Sequence, residues 1–171
     1  MDKLKLETQR YFLISCHREE NIDDLNNFNK LIHSLNSISE FYNLPIIFPV
    51  HPRTKKIIDK NKPKLNGLIK LIDPLGFIDY NQLQINSNVV LSDSGTISEE
   101  SSILNFRAIN IRETHERHEA MEESTVIMTG LDSTRIIQGI EALKDQKTLN
   151  ERNIFQVPDY KVPNVSIKIE R

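Results

Sequence analysis

Short apolar runs return along this chain at intervals that leave room for a helix between them, and that alternation restricts the fold more than any other feature. The runs YFLISC (residues 11–16), IIFPV (46–50), LIKLI (68–72), NVVL (88–91), AINI (108–111) and TVIM (125–128) read as strands buried on both faces. After the first, Leu25, Phe28, Leu31, Ile32, Leu35, Ile38 and Phe41 recur at spacings of three and four. They predict one amphipathic helix, capped by Asp23 or Asp24 and broken at Pro45. Further helices are expected over residues 53–60, weakly around 80–85, over 96–104, near 112–119, and over 133–143 with Asp132 or Ser133 as cap. Strands and helices in this order imply a parallel sheet with helices on both faces, a Rossmann-like α/β domain.

A chain of 171 residues suits one well-buried domain. Residues 1–149 are expected to form it. Residues 150–171 read as a tail with Pro158, Pro163 and a short helix start over 164–169. Residues 1–10 resemble the end of a preceding helix, so the chain looks cut from something longer at both ends.

In such sheets a ligand lies beyond the carboxyl ends of the strands, where the strand order reverses. The polar clusters fall there: His17-Arg18-Glu19-Glu20-Asn21, His51-Pro52, Pro74-Leu75-Gly76, Asp93-Ser94-Gly95-Thr96 and the run over residues 112–119. The stretch VVLSDSGTISEES (89–101) passes from strand through a small-residue turn into a helix. That geometry aims backbone N–H groups and the positive end of a helix dipole at one point and suits a phosphate. Ser94 and Thr96 add hydroxyls, and Gly95 permits close backbone approach. The same residues also fit an ordinary capped strand-to-helix connection. Glu100 is a candidate acceptor for sugar or ribose hydroxyls, whereas Glu99 fits a dipole-complementing role. His17 and His51 stand at strand ends, either as ligand contacts or as packing histidines. Arg112, His115, Arg117 and Glu119 form a mixed-charge loop, either solvated or placed to capture a phosphate.

Other functions are set aside by composition and spacing. A net charge of −2 leaves no global basic field for nucleic acid. No apolar run is long enough to cross a bilayer, and MDKLKLETQR lacks the apolar core of a signal peptide. The single cysteine, Cys16, ends an apolar strand without a nucleophile signature, and a reduced, cytoplasmic setting is expected. The five histidines are scattered and no cysteines pair, so no metal site is expected; GxGxxG and Walker A loops are lacking. No cofactor is expected.

Taken in order, the segments HREEN, FPVHP, DPLG, LSDSGTISEE and THERHE resemble the C-terminal half of the non-hydrolysing UDP-N-acetylglucosamine 2-epimerases, over residues 11–165. Within that family, DSGTISEESSILNF with HEAMEE looks most like the capsule and O-antigen branch that leads to UDP-N-acetyl-L-fucosamine. The resemblance implies the C-terminal domain of a two-domain, glycosyltransferase-B-like fold with a UDP-sugar in the cleft. It also implies C2 epimerisation by elimination and re-addition of UDP, on the way to bacterial surface polysaccharides.

By that resemblance Ser94, the Gly95 amide, Thr96 and Arg117 would hold the leaving pyrophosphate, with Arg112 and His51 also lining the UDP site. His17 would contact the phosphate or act as acid/base toward the leaving oxygen, Glu100 would bind ribose hydroxyls, and the segment around Tyr80 would abut uracil. Two departures stand out: His118 and Arg107 occupy positions where the family usually has proline. The carboxylates that handle the C2 proton belong to the family's N-terminal half. The isolated chain is therefore expected to be inactive, with a separately encoded N-terminal domain as partner. Family members are often dimeric. The alternative reading is a catalytically inactive UDP-sugar-binding remnant of a split gene.

Overall fold

A computed structural model describes residues 4–112 and 126–160. In chain order the elements are β1 (Phe12–Ser15), α1 (Glu19–Ile22), α2 (Leu25–Tyr42), β2 (Ile46–Pro49), α3 (Pro52–Asn61), β3 (Ile69–Ile72) and α4 (Phe77–Asn86). They continue with β4 (Val89–Ser92), α5 (Ile97–Leu104), β5 (Ala108–Asn110), β6 (Val126–Met128) and α6 (Ser133–Ala142), then a 3-10 turn at Pro158–Tyr160. All six strands form one parallel sheet in the order β3-β2-β1-β4-β5-β6.

The strands are parallel because each returns through a helix, and they are apolar throughout because helices cover both faces. Side-chain alternation divides the core in two. Phe12, Ile14, Ile46, Phe48 and Leu91 point toward α2, α3 and α6, where they meet Phe28, Leu31, Leu35, Ile38, Ile58, Ile136 and Ile140. Tyr11, Leu13, Ile47 and Val90 point to the other face, against Leu83 of α4, Ile97 of α5 and Phe106. Each such side chain fully withdrawn from water stabilises the fold by about 1.5–3 kcal/mol before the entropy of ordering is subtracted.

The helix ends follow local chemistry. Asp24 caps α2 by accepting from the Asn27 N–H at 2.8 Å, and Asp132 caps α6 by accepting from the Arg135 N–H at 2.9 Å. Asn43, Lys62 and Asn105 end α2, α3 and α5 in the left-handed conformation. On α6, Gly139 lets the helix settle onto the sheet: a Cβ there would lie 3.1 Å from Ile109 Cδ1 and 3.2 Å from Thr129 Cγ2.

Two segments differ from the sequence expectation. Residues 5–10 run in turns rather than helix, with Lys5 and Gln9 at positive φ. The HREEN cluster, expected as loop, contains the single-turn helix α1, which buries Asn21 and Ile22. The expected helix near residues 112–119 and the helix start over 164–169 lie outside the described residues. Before the latter, the chain folds back along α5. Asn105 Nδ2 donates to the carbonyls of Leu149 and Glu151, and the Val157 N–H donates to Ser102 Oγ.

Candidate functional site

From β1 the chain moves outward through β2 to β3, and from β4 it moves the other way through β5 to β6. The order reverses between β1 and β4, whose paired ends are Ser15 and Ser92. Loops leaving these two strands diverge and open a crevice at their carboxyl ends.

Asp93, the first residue after β4, bridges the crevice floor. It is wholly buried and binds groups from the loop after β1. Its carboxylate accepts from the His17 N–H at 3.2 Å, the Arg18 N–H at 3.0 Å, Asn21 Nδ2 at 3.1 Å and the Cys16 thiol at 3.1 Å. Its own N–H donates to the Ser15 carbonyl at 3.1 Å. Burial, reinforced by Asp93, pushes the Cys16 thiol well up, so it is a hydrogen-bonding core group and not a nucleophile. Sequence reasoning gave Asp93 no role; the available signal was an acid directly following a strand buried on both sides.

The turn after β4 carries a hydrogen-bond chain. The Ser94 N–H donates to Ser92 Oγ at 3.0 Å, and Ser94 Oγ lies 2.9 Å from Thr96 Oγ1. The Thr96 hydroxyl donates to Glu100 Oε1 at 2.6 Å, and Gln84 Nε2 of α4 donates to Glu100 Oε2 at 2.5 Å. Thr96 precedes α5 without capping it through its side chain. The Gly95 N–H makes no hydrogen bond among the described residues. Small hydroxyls, a glycine amide and a helix start therefore sit together at the crevice, with a carboxylate fixed one turn along the helix.

Helix α4 supplies the adjoining wall. Tyr80 and Gln84, four residues apart, share its inward face. The Tyr80 hydroxyl bonds to Ser15 and lies in the field of Glu100 and Asp93; its pKa is pushed up to about 12, chiefly by burial. Gln84, fully buried, is the second residue that sequence reading passed over.

The opposite wall is built from His17 and His51, whose ring centroids are 6.3 Å apart. The His17 side chain is 48% exposed, and its Nδ1 lies 3.7 Å from Asp93 Oδ1. His51 stands at the start of α3, with Nδ1 accepting from the Arg53 N–H at 3.3 Å. A cavity of about 450 Å³ opens between His17, Arg18, Glu19, Glu20, His51 and Arg53. Arg53 spans Glu19 and Asp23, an arrangement that ties α3 to α1.

The structure thus gathers His17, Ser94, Gly95, Thr96, Glu100 and Tyr80 around the β1/β4 crevice, with His51 beside His17. Arg112 is placed differently: it is buried, and its Nε donates to Glu20 Oε1 at 3.1 Å. Arg117 and His118 lie outside the described residues. Arg107 is at the other end of the sheet, donating to the carbonyls of Lys144 and Gln146, far from any ligand role at the crevice. Among the described residues no cluster of His, Cys, Asp and Glu could hold a metal ion, and no helix is long and apolar enough to cross a membrane.

The sequence model of the family described as UDP-N-acetylglucosamine 2-epimerase matches residues 1–171. A UDP-N-acetylglucosamine 2-epimerase of Methanococcus maripaludis is 38% identical over 141 residues, covering 80% of this chain and 38% of the relative. The structure of UDP-N-acetylglucosamine 2-epimerase from Rickettsia bellii matches with a TM-score of 0.84 at 41% identity, over 99% of this chain and 45% of that one. The Methanocaldococcus jannaschii UDP-GlcNAc 2-epimerase, solved in complex with UDP-GlcNAc and UDP, matches with a TM-score of 0.78 at 30% identity. That match covers 94% of this chain and 44% of the other. The chain spans less than half the length of these relatives.

Proposed function

The chain belongs to the UDP-N-acetylglucosamine 2-epimerase family, and from that premise we propose that residues 1–149 form the UDP-binding half of such an enzyme, with 150–171 as its tail. The observation that carries this reading is the convergence of His17, Ser94, Gly95, Thr96, Glu100 and Tyr80 on one crevice, beside a helix start suited to phosphate.

In this reading the pyrophosphate lies over the Ser94-Gly95-Thr96 turn, held by hydroxyls, the Gly95 amide and Arg117. Glu100, oriented by Thr96 and Gln84, accepts from the ribose hydroxyls, and Tyr80 abuts uracil. His51 and Arg112 border the site, Arg112 by fixing Glu20. The reaction is elimination of UDP across C1–C2 of a UDP-2-acetamido sugar and its re-addition. UDP leaves with growing negative charge, which donors fixed in advance stabilise more than they stabilise the bound substrate. His17 contacts that phosphate or transfers the proton of the leaving oxygen.

The sugar we propose is a UDP-2-acetamido-2,6-dideoxy-L-hexose, in a cytoplasmic pathway toward surface polysaccharide. The base for the C2 proton belongs to an N-terminal domain, supplied as a partner. These residues form one wall of a cleft, so by themselves they bind UDP and leave a UDP-sugar unchanged. The second reading, a binding remnant without an enzymatic partner, shares the UDP site and differs only in lacking rescue.

Calorimetry with UDP tests the common ground: binding at millimolar UDP or below is expected, and no binding at that concentration would sink both readings. An epimerase assay with an added N-terminal domain then separates them. Turnover supports the split enzyme; continued inactivity supports the remnant.

A further inference from the structure

We infer that Asp93 is a positioning residue that fixes the tautomer of His17, placing the proton on Nδ1 and leaving Nε2 to face the crevice. The argument begins with the carboxylate's surroundings. Asp93 is wholly buried, and the groups that approach it within hydrogen-bond distance are donors: the backbone N–H of His17 and Arg18, Asn21 Nδ2 and the Cys16 thiol. These contacts immobilise the loop carrying His17 against the turn after β4. The base of the His17 side chain is thereby held beside Asp93, within reach of its carboxylate.

His17 Nδ1 lies 3.7 Å from Asp93 Oδ1. With a lone pair on Nδ1, two electron-rich atoms would oppose each other, one of them on a carboxylate withdrawn from water. With a proton on Nδ1 the same approach is attractive, and it shortens to a hydrogen bond with a small ring movement. A carboxylate behind one imidazole nitrogen selects which nitrogen works at the front, the logic by which a buried acid orients a catalytic histidine in hydrolases. The His17 side chain is half exposed and lines the same cavity as Arg18 and His51, so with Nδ1 turned to Asp93 it is Nε2 that is left to serve that cavity. The neutral ring thus presents a lone pair there, and the charged ring an N–H that can follow the developing charge on a leaving phosphate oxygen.

The assignment rests on the proposed UDP site for what Nε2 meets, yet its test needs no ligand. Long-range ¹H–¹⁵N correlation spectra are recorded on the full chain labelled with ¹⁵N-histidine, at a pH where the ring is neutral. His17→Gln identifies the His17 signals by their loss. The expected result is a pyrrole-like shift for Nδ1 and a pyridine-like shift for Nε2. The opposite tautomer, or an average of both, would overturn the assignment.

Asp93→Asn, provided circular dichroism shows the native fold, is expected to release the preference and move Nδ1 toward the pyridine-like range. An unchanged pattern in that folded variant would also overturn it. Cys16→Ala removes a donor from the same carboxylate but leaves the ring contact, and should keep the wild-type pattern. If Asp93→Asn does not fold, the wild-type spectrum decides alone. A chain with the Nδ1–H tautomer that binds no UDP would refute the proposed function and leave the Asp93 assignment standing.

Discussion

Arg112, two residues beyond β5, is buried and reaches across the sheet end to Glu20 of α1, with Nε 3.1 Å from Oε1. An arginine that sequence alone offers as a phosphate ligand is engaged in joining two loops. Arg112→Met should therefore cost about 1–3 kcal/mol of stability in urea denaturation. In a double-mutant cycle with Glu20→Gln, a coupling of roughly 1 kcal/mol is expected. Strict additivity would show that the pair contributes nothing.

Glu100 is held by Thr96 and Gln84 in the orientation proposed to receive ribose hydroxyls. Glu100→Gln should lower affinity for UDP about tenfold, equivalent to ~1.4 kcal/mol, while inorganic pyrophosphate binds as before. Equal losses for both ligands would place Glu100 with the phosphates. Gln84→Leu should weaken UDP in the same direction by a smaller factor, because it loosens the carboxylate without removing it.

Arg117→Ala is expected to reduce both UDP and pyrophosphate affinity, roughly tenfold or more, since a guanidinium acts on phosphate oxygens directly. Unchanged affinity in calorimetry would remove Arg117 from the site and leave the Ser94-Gly95-Thr96 turn as the phosphate contact.

Alkaline pH should weaken the fold. Burial raises Tyr80 to about 12 from the ordinary 10.0; Tyr11 and Tyr42 are also raised, Tyr42 with help from its hydrogen bond to Glu141. Above pH 10 the unfolded chain releases these protons while the native chain keeps them. With fewer protons bound in the unfolded state, stability that is intact below about pH 10 falls as pH rises. The urea midpoint should drop from pH 9 to pH 11, and in a Tyr160→Phe background, which leaves only these three tyrosines, tyrosinate absorbance should rise only with unfolding. Tyrosinate absorbance that grows freely in that folded variant would contradict this.

Cys16 should resist alkylation by iodoacetamide at neutral pH and react once urea exposes it, because its thiol is buried and donates to Asp93. Rapid labelling of the folded chain would mean that the loop after β1 opens readily.

The strands were legible because a parallel strand buried on both faces is a continuous apolar run, and the long α2 because its seven apolar residues keep helical spacing. The polar rim was legible through the rule for ligand placement in open sheets. What could not be read were side-chain partners distant in sequence. Asp93 looks like any turn acid until the loop around His17, 76 residues earlier, folds onto it. Gln84 looks like a surface residue of a weak helix until the fold presses it against Glu100. Helix α1 has no periodicity to detect, being a single turn held by Asn21 and Ile22 in the core. Arg107 stands just before β5, but its clamp on the carbonyls of residues 144 and 146 depends on where α6 ends.

The reversal of strand order between β1 and β4 also bears on how the protein is made. β1 can pair with β2 once residues 46 and 47 have emerged from the ribosome, but its other edge waits for β4, whose Val89 pairs with Phe12. That second pairing closes a much longer loop, at a greater entropic cost. A nascent chain that ends before β4 can hold three of the six strands, yet it has neither the turn after β4 nor the carboxylate proposed for ribose. The crevice is thus a late product of synthesis, and a pause that exposed the open edge of β1 would leave a ready template for wrong pairing.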